Sequence, residues 1–110
     1  VAKEVSTRLR KFGISPCLVS LHTIKPLDDD LLSRLFLDCK KVVVIEEHGL
    51  AGGAGSAILE WANAKEVDAS KVVCFGVKDA FLTACGSQEE ARCLLKLDAD
   101  SIISSGQEYF

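Results

Sequence analysis

The stretch from Val42 to Lys65 constrains this chain more than any other. Val42-Val43-Val44-Ile45 is a continuous β-branched run that passes directly into Glu46-Glu47-His48 and then into Gly49-Leu50-Ala51-Gly52-Gly53-Ala54-Gly55-Ser56. From Ala57 to Lys65 the apolar residues Ile58, Leu59, Trp61 and Ala62 recur at helical spacing. Branched side chains favour a pleated backbone, and the glycines permit a sharp turn and close packing. A strand buried on both faces, a glycine loop and a helix together make half of a parallel crossover unit. The chain is thereby committed to helices packed on a sheet.

The rest of the sequence repeats this alternation. Val1, Val5, Leu9 and Phe12 predict an opening amphipathic helix, with Gly13 placed where a C-terminal cap belongs. Cys17-Leu18-Val19-Ser20-Leu21 reads as a short strand buried on both faces, and Pro26 breaks the connection after it. Asp28 is the expected N-cap of a second helix carrying Leu31, Leu32, Leu35, Phe36 and Cys39 on one stripe. Capping and the helix dipole account for Asp28-Asp29-Asp30 without a metal, because consecutive residues there point in different directions. Val72 to Phe75 is another strand, leading into Gly76-Val77-Lys78-Asp79. Short helices are expected from Ser87, whose Ser87-Gln88-Glu89-Glu90 has capping-box spacing, and from about Asp98. Residues 106–110 read as a frayed end. The fold class is α/β, a three-layer α/β/α arrangement around a mainly parallel, mixed sheet, in a single domain over residues 1–110.

With 110 residues and a net charge of −3, the chain offers no basic field for nucleic acid. Its apolar runs are far too short to span a membrane. The five cysteines, Cys17, Cys39, Cys74, Cys85 and Cys93, form no C-x-x-C pair and sit among apolar neighbours, which suits free thiols in a reducing, cytoplasmic setting. Cys85, beside Gly86, is the one expected to be exposed.

Ligands of open α/β sheets gather at the carboxyl ends of strands, which directs attention to Glu46-Glu47-His48, the glycine loop, residues 76–79 and His22 to Lys25. Gly53-Ala54-Gly55 stands where a phosphate loop would. Ile58 nevertheless occupies the third glycine position of a dinucleotide fingerprint, and no Gly-Lys-Ser/Thr follows. Glu46, Glu47 and His48 leave a strand in alternating directions, and neither histidine has metal-binding spacing. A polar strand end used in packing or at an interface is the stronger reading. Trp61 is expected in the core or at a subunit contact.

Four motifs in order carry a resemblance. Thr23-Ile24-Lys25-Pro26-Leu27-Asp28, Val44-Ile45-Glu46-Glu47-His48, Gly52-Gly53-Ala54-Gly55-Ser56-Ala57 and Gly76-Val77-Lys78-Asp79-Ala80-Phe81 closely resemble the C-terminal domain of the transketolase family. The likeness covers about residues 1 to 104. It looks closest to transketolase itself and next to deoxyxylulose-phosphate synthase, whose corresponding stretch usually carries a proline where Lys78 stands; 2-oxoacid dehydrogenase β subunits are a further branch. The resemblance implies a thiamine diphosphate and Mg²⁺ enzyme that transfers ketol units between sugar phosphates, the cofactor supplying the electron sink. It implies that this chain is the third, non-catalytic domain, binding no cofactor or metal itself and meeting upstream pyrimidine and diphosphate domains in a homo-oligomer. On that reading Glu46, Glu47, His48, Gly52, Gly53, Gly55, Ser56, Asp79 and Phe81 shape packing and interface surface. The chain opens in a helix without the strand that normally precedes it, and position 1 is not methionine, so a fragment of a longer polypeptide is expected. The rival from another class is a stand-alone regulatory module that holds an anion at the glycine loop.

Overall fold

The computed structural model describes residues 1–78 and 86–110. Helix α1 runs Ala2–Lys11, α2 Asp29–Asp38, strand β1 Val42–Gly49, α3 Ala54–Ala64, β2 Val72–Val77, α4 Gln88–Leu94 and α5 Ala99–Ser105, with a 3₁₀ turn at Ala69–Lys71.

The local signals set most of these boundaries. Gly13 takes φ +80°, and the Gly13 and Ile14 N–H groups donate back to Arg10 and Leu9, which closes α1 in a Schellman turn. Asp28 caps α2 through the Leu31 N–H at 3.0 Å. Ser87 and Glu90 form both halves of a capping box on α4, and Asp98 caps α5 through the Ser101 N–H. The far end of α2 is held from a distance, since Lys71 Nζ donates to the carbonyls of Phe36 at 2.6 Å and Cys39 at 3.2 Å.

β1 and β2 pair in parallel from Val42 opposite Val72 to Ile45 opposite Phe75, and the register shifts between Ile45 and Gly49. The pleat divides the side chains between two cores. Ile45 and Phe75 face Val5 and Leu9 of α1 with Ala99 and Ile102 of α5. Val42, Val44 and Val72 face Leu32 and Phe36 of α2 with Ile58 and Ala62 of α3. A parallel strand pair with helices on both faces is the expected α/β/α layering.

Several expectations are corrected. Residues 17–21 form no strand, because among the described residues neither side of this backbone has a ladder partner and apolar composition alone supplies no hydrogen bonds. Leu18 and Val19 are accordingly exposed. β1 continues four residues past Ile45, and α3 begins at Ala54, three residues before Ala57. Cys17 and Cys93 are exposed and not lodged among apolar side chains. The end of the chain is tied down: Gly106 is buried, and Phe110 packs on the α1/α5 core.

Candidate functional site

The carboxyl end of β1 meets the start of α3. The parity that points Val42 and Val44 at α2 and α3 carries two residues further and turns Glu46 the same way. Glu46 is 8% exposed, and its carboxylate lies at the first turn of α3. Oε2 accepts from the Ala54 N–H at 2.7 Å and Oε1 from the Gly55 N–H at 3.2 Å.

This contact resolves a local problem. α3 has glycine at its N-cap position and no side-chain cap of its own, so its first N–H groups would otherwise lack partners. Glu46 supplies the cap from the neighbouring strand. Its negative charge also sits at the positive end of the helix dipole, where a carboxylate is stabilised.

Glycines make the approach possible. A Cβ on Gly53 would lie 2.2 Å from Glu46 Oε2, and one on Gly55 would lie 2.5 Å from Cys74 Sγ and 3.3 Å from Glu46 Oε1. On β2, Gly76 leaves room for Leu50 Cδ2, which a Cβ there would meet at 2.8 Å, with the His48 carbonyl at 3.1 Å and the Glu46 stem at 3.2 Å. Ser56 Oγ closes the loop ahead of the helix, donating to the Leu50 carbonyl at 2.8 Å and accepting from the Gly52 N–H at 3.1 Å. Gly52 turns the chain there with φ +76°. Burial, then the Glu46 charge, raise the pKa of the neighbouring Cys74 thiol.

Glu47 points to the opposite face and is exposed. It accepts from Arg92 Nε at 2.5 Å and from Gln88 Nε2 at 3.0 Å, which ties β1 to α4. Arg92, then Gln88, hold its carboxyl below the usual glutamate range. His48 and His22 are both exposed. No cluster of three metal-ligating side chains occurs among the described residues.

The structure thus gathers Glu46, Gly53, Gly55 and Ser56 into one cradle and leaves Glu47, His48 and Gly52 at its surface. Asp79 and Phe81, and the exposure of Cys85, lie outside the described residues. Trp61 bridges α3 to α2: its ring packs on Phe36 with centroids 5.2 Å apart, and its Nε1 donates to Asp29 at 2.7 Å. Asp29 also pairs with Lys65 at 3.1 Å, so this member of the acidic triplet joins helices. Sequence reasoning missed the cap made by Glu46, although the glycine at the head of α3 was a signal that a partner had to come from elsewhere.

The start of α3 does not fit a diphosphate. Two of the N–H groups an anion would use already serve Glu46, and the carboxylate would repel a second negative group. No helix among the described residues is long and apolar enough to cross a membrane.

Comparison with known proteins agrees with the architecture. Residues 1–102 match the family model described as "Transketolase, C-terminal domain". The chain is 38% identical to 1-deoxy-D-xylulose-5-phosphate synthase of Halothermothrix orenii over 94% of this chain and 16% of that protein. It is 40% identical to the same-named enzyme of Clostridium acetobutylicum over 92% of this chain and 16% of that protein. A solved structure titled "Split gene transketolase, inactive beta4 tetramer" superposes with a TM-score of 0.81 at 30% identity, covering 98% of this chain and 34% of that one. The chain spans about a sixth of the length of these curated relatives. It belongs to the transketolase C-terminal domain family.

Proposed function

We propose, for a chain that is a transketolase-type C-terminal domain, that it serves as the non-catalytic assembly domain of a thiamine diphosphate enzyme moving ketol units between sugar phosphates. The observation that carries this reading is the internal cap: at the strand end where an α/β sheet would place a ligand, the helix start is filled by Glu46 of the chain itself. The same observation counts against the stand-alone anion-binding module. Thiamine diphosphate and Mg²⁺ belong in this reading to the upstream domains, where the cofactor supplies the electron sink. This chain's residues bind and orient those domains. Glu46, Gly53, Gly55 and Ser56 fix the glycine loop from within, while Glu47, His48 and Gly52 present its outer surface to a neighbouring domain or subunit.

A second reading of the parent enzyme is deoxyxylulose-phosphate synthase, favoured by the names of the curated relatives. The structural neighbour's title favours transketolase. The two separate on product. The full-length polypeptide, supplied with thiamine diphosphate and Mg²⁺, is assayed for ketol transfer from a ketose phosphate to an aldose phosphate and for formation of 1-deoxyxylulose 5-phosphate. The assembly role is tested in the same protein with His48→Ala, reading sedimentation and turnover together. Weakened assembly with unchanged turnover per assembled oligomer is expected. Intact assembly with turnover down about a thousandfold would make His48 a catalytic residue and overturn the reading.

A further inference from the structure

Among the described residues α4 is the one α-helix that buries none of its own side chains. Cys93 and Leu94 near its end are exposed, Leu94 by 61%. Both ends of the helix are closed by its own neighbourhood. Ser87 and Glu90 cap the start, and at the finish the Lys96 and Leu97 N–H groups donate back to the carbonyls of Cys93 at 3.1 Å and Arg92 at 2.8 Å, around a left-handed turn at Lys96 with φ +56°. None of those bonds reaches the sheet.

Beyond the turn, Leu97 is 3% exposed and roots the chain where it enters α5, whose first turn Asp98 caps. The helix itself is gripped from β1. Among the described residues, every side-chain bond from α4 to another element ends on Glu47: Arg92 reaches Oε1 through Nε and Nη2, both at 2.5 Å, and Gln88 Nε2 reaches Oε2 at 3.0 Å. Gln88 and Arg92 stand four residues apart and therefore on one face, so a single carboxylate holds the helix with both oxygens. Glu47 lies in the stretch where β1 leaves register with β2, and the Arg92 and Glu47 side chains are 28% and 47% exposed.

Seven residues do not sustain a helix in water, where isolated helices shorter than about 12–15 residues are marginal. With no buried face, α4 keeps its shape by being docked, and its docking rests on a charge pair that water and salt weaken.

We propose that α4 is a latched arm: released from the Glu47 fork it swings about Leu97 and unwinds, baring Glu47 at the strand end, and it re-forms when the fork closes. In the reading above, Glu47 belongs to the surface turned to a neighbouring domain. The state of the arm then sets whether that surface offers a free carboxylate or one neutralised by Arg92, and a cationic side chain of the neighbour would compete with Arg92 for it. That consequence rests on the assembly reading; the latch does not, and its test reads α4 without reference to assembly.

The test is amide hydrogen exchange on the full-length polypeptide, wild type against Glu47→Ala. Residues 91–96 are expected to exchange about three- to fivefold faster in the variant, while Val72 to Val77 of β2 and Ile102 to Ser105 of α5 keep their wild-type rates. Raising NaCl from about 0.05 to about 0.5 M should speed exchange of residues 91–96 in the wild type and leave them unchanged in Glu47→Ala. Arg92→Ala cuts the fork from the helix side and should reproduce the effect with Glu47 in place, which keeps the test open if Glu47→Ala does not fold. Unchanged exchange in α4 when the fork is cut, faster exchange in α4 and β2 together, or a salt response that persists in Glu47→Ala overturns the proposal.

Discussion

Glu46 and Glu47 are neighbours in sequence and opposites in environment. Glu46 is buried and held by two backbone N–H groups in a cradle that glycines keep open, whereas Glu47 is exposed and held by two side chains of α4. Backbone donors cannot move away or be replaced, so the Glu46 side of β1 is rigid and intolerant. Side-chain donors can swing into water, so the Glu47 side is adjustable. One carboxylate builds the fold and its neighbour decorates it.

That contrast can be broken most severely at Glu46. Glu46→Ala leaves the Ala54 and Gly55 N–H groups without their partner, and a loss of about 2–4 kcal/mol is expected from the denaturant midpoint of the full-length protein. Gly53→Ala should cost about 1–3 kcal/mol, because its Cβ would fall 2.2 Å from Glu46 Oε2. The combination of Gly53→Ala with Glu46→Ala should cost less than the sum, since the second change removes the atom that the first collides with. Additive losses would break the cradle argument. Ser56→Ala removes a smaller clasp and should cost about 1 kcal/mol.

At Glu47 the expected effect is smallest. Arg92→Ala should cost less than about 1 kcal/mol, because the pair is largely solvated. The sign of its pH dependence is fixed. With the folded pKa below the unfolded one, the Glu47 contribution is present above the ordinary glutamate pKa and is lost as pH falls through the lowered value. Pulsed alkylation supplies a check of a different kind. Cys17 and Cys93 should label first, and Cys74, half-buried and raised in pKa, should label more slowly than either until Glu46→Ala opens the cradle.

Much of the architecture was legible because it is written in adjacent residues. Asp28, Ser87 with Glu90, and Asp98 each cap the helix that follows them, and Gly13 ends the helix before it. The alternation of strand and helix gave the α/β class. The candidate site was legible only in part. Its position at the end of β1 follows from strand-end logic, but the cap on α3 comes from a residue eight positions before Ala54, across a turn whose geometry no local rule fixes. Cys17 to Leu21 failed for the complementary reason, since a strand requires a hydrogen-bonding neighbour and composition describes only the strand itself.

Sequence alone therefore determined the helix ends at Gly13, Asp28, Ser87 and Asp98, the β-branched strand and the family to which its motifs point, because capping, branching and periodicity act within a few residues. Tertiary structure decided which glutamate of the pair turns inward, what caps α3 and how Lys71 holds α2. Those outcomes depend on which distant backbone groups come to lie within hydrogen-bonding reach, and only the packed chain brings them there.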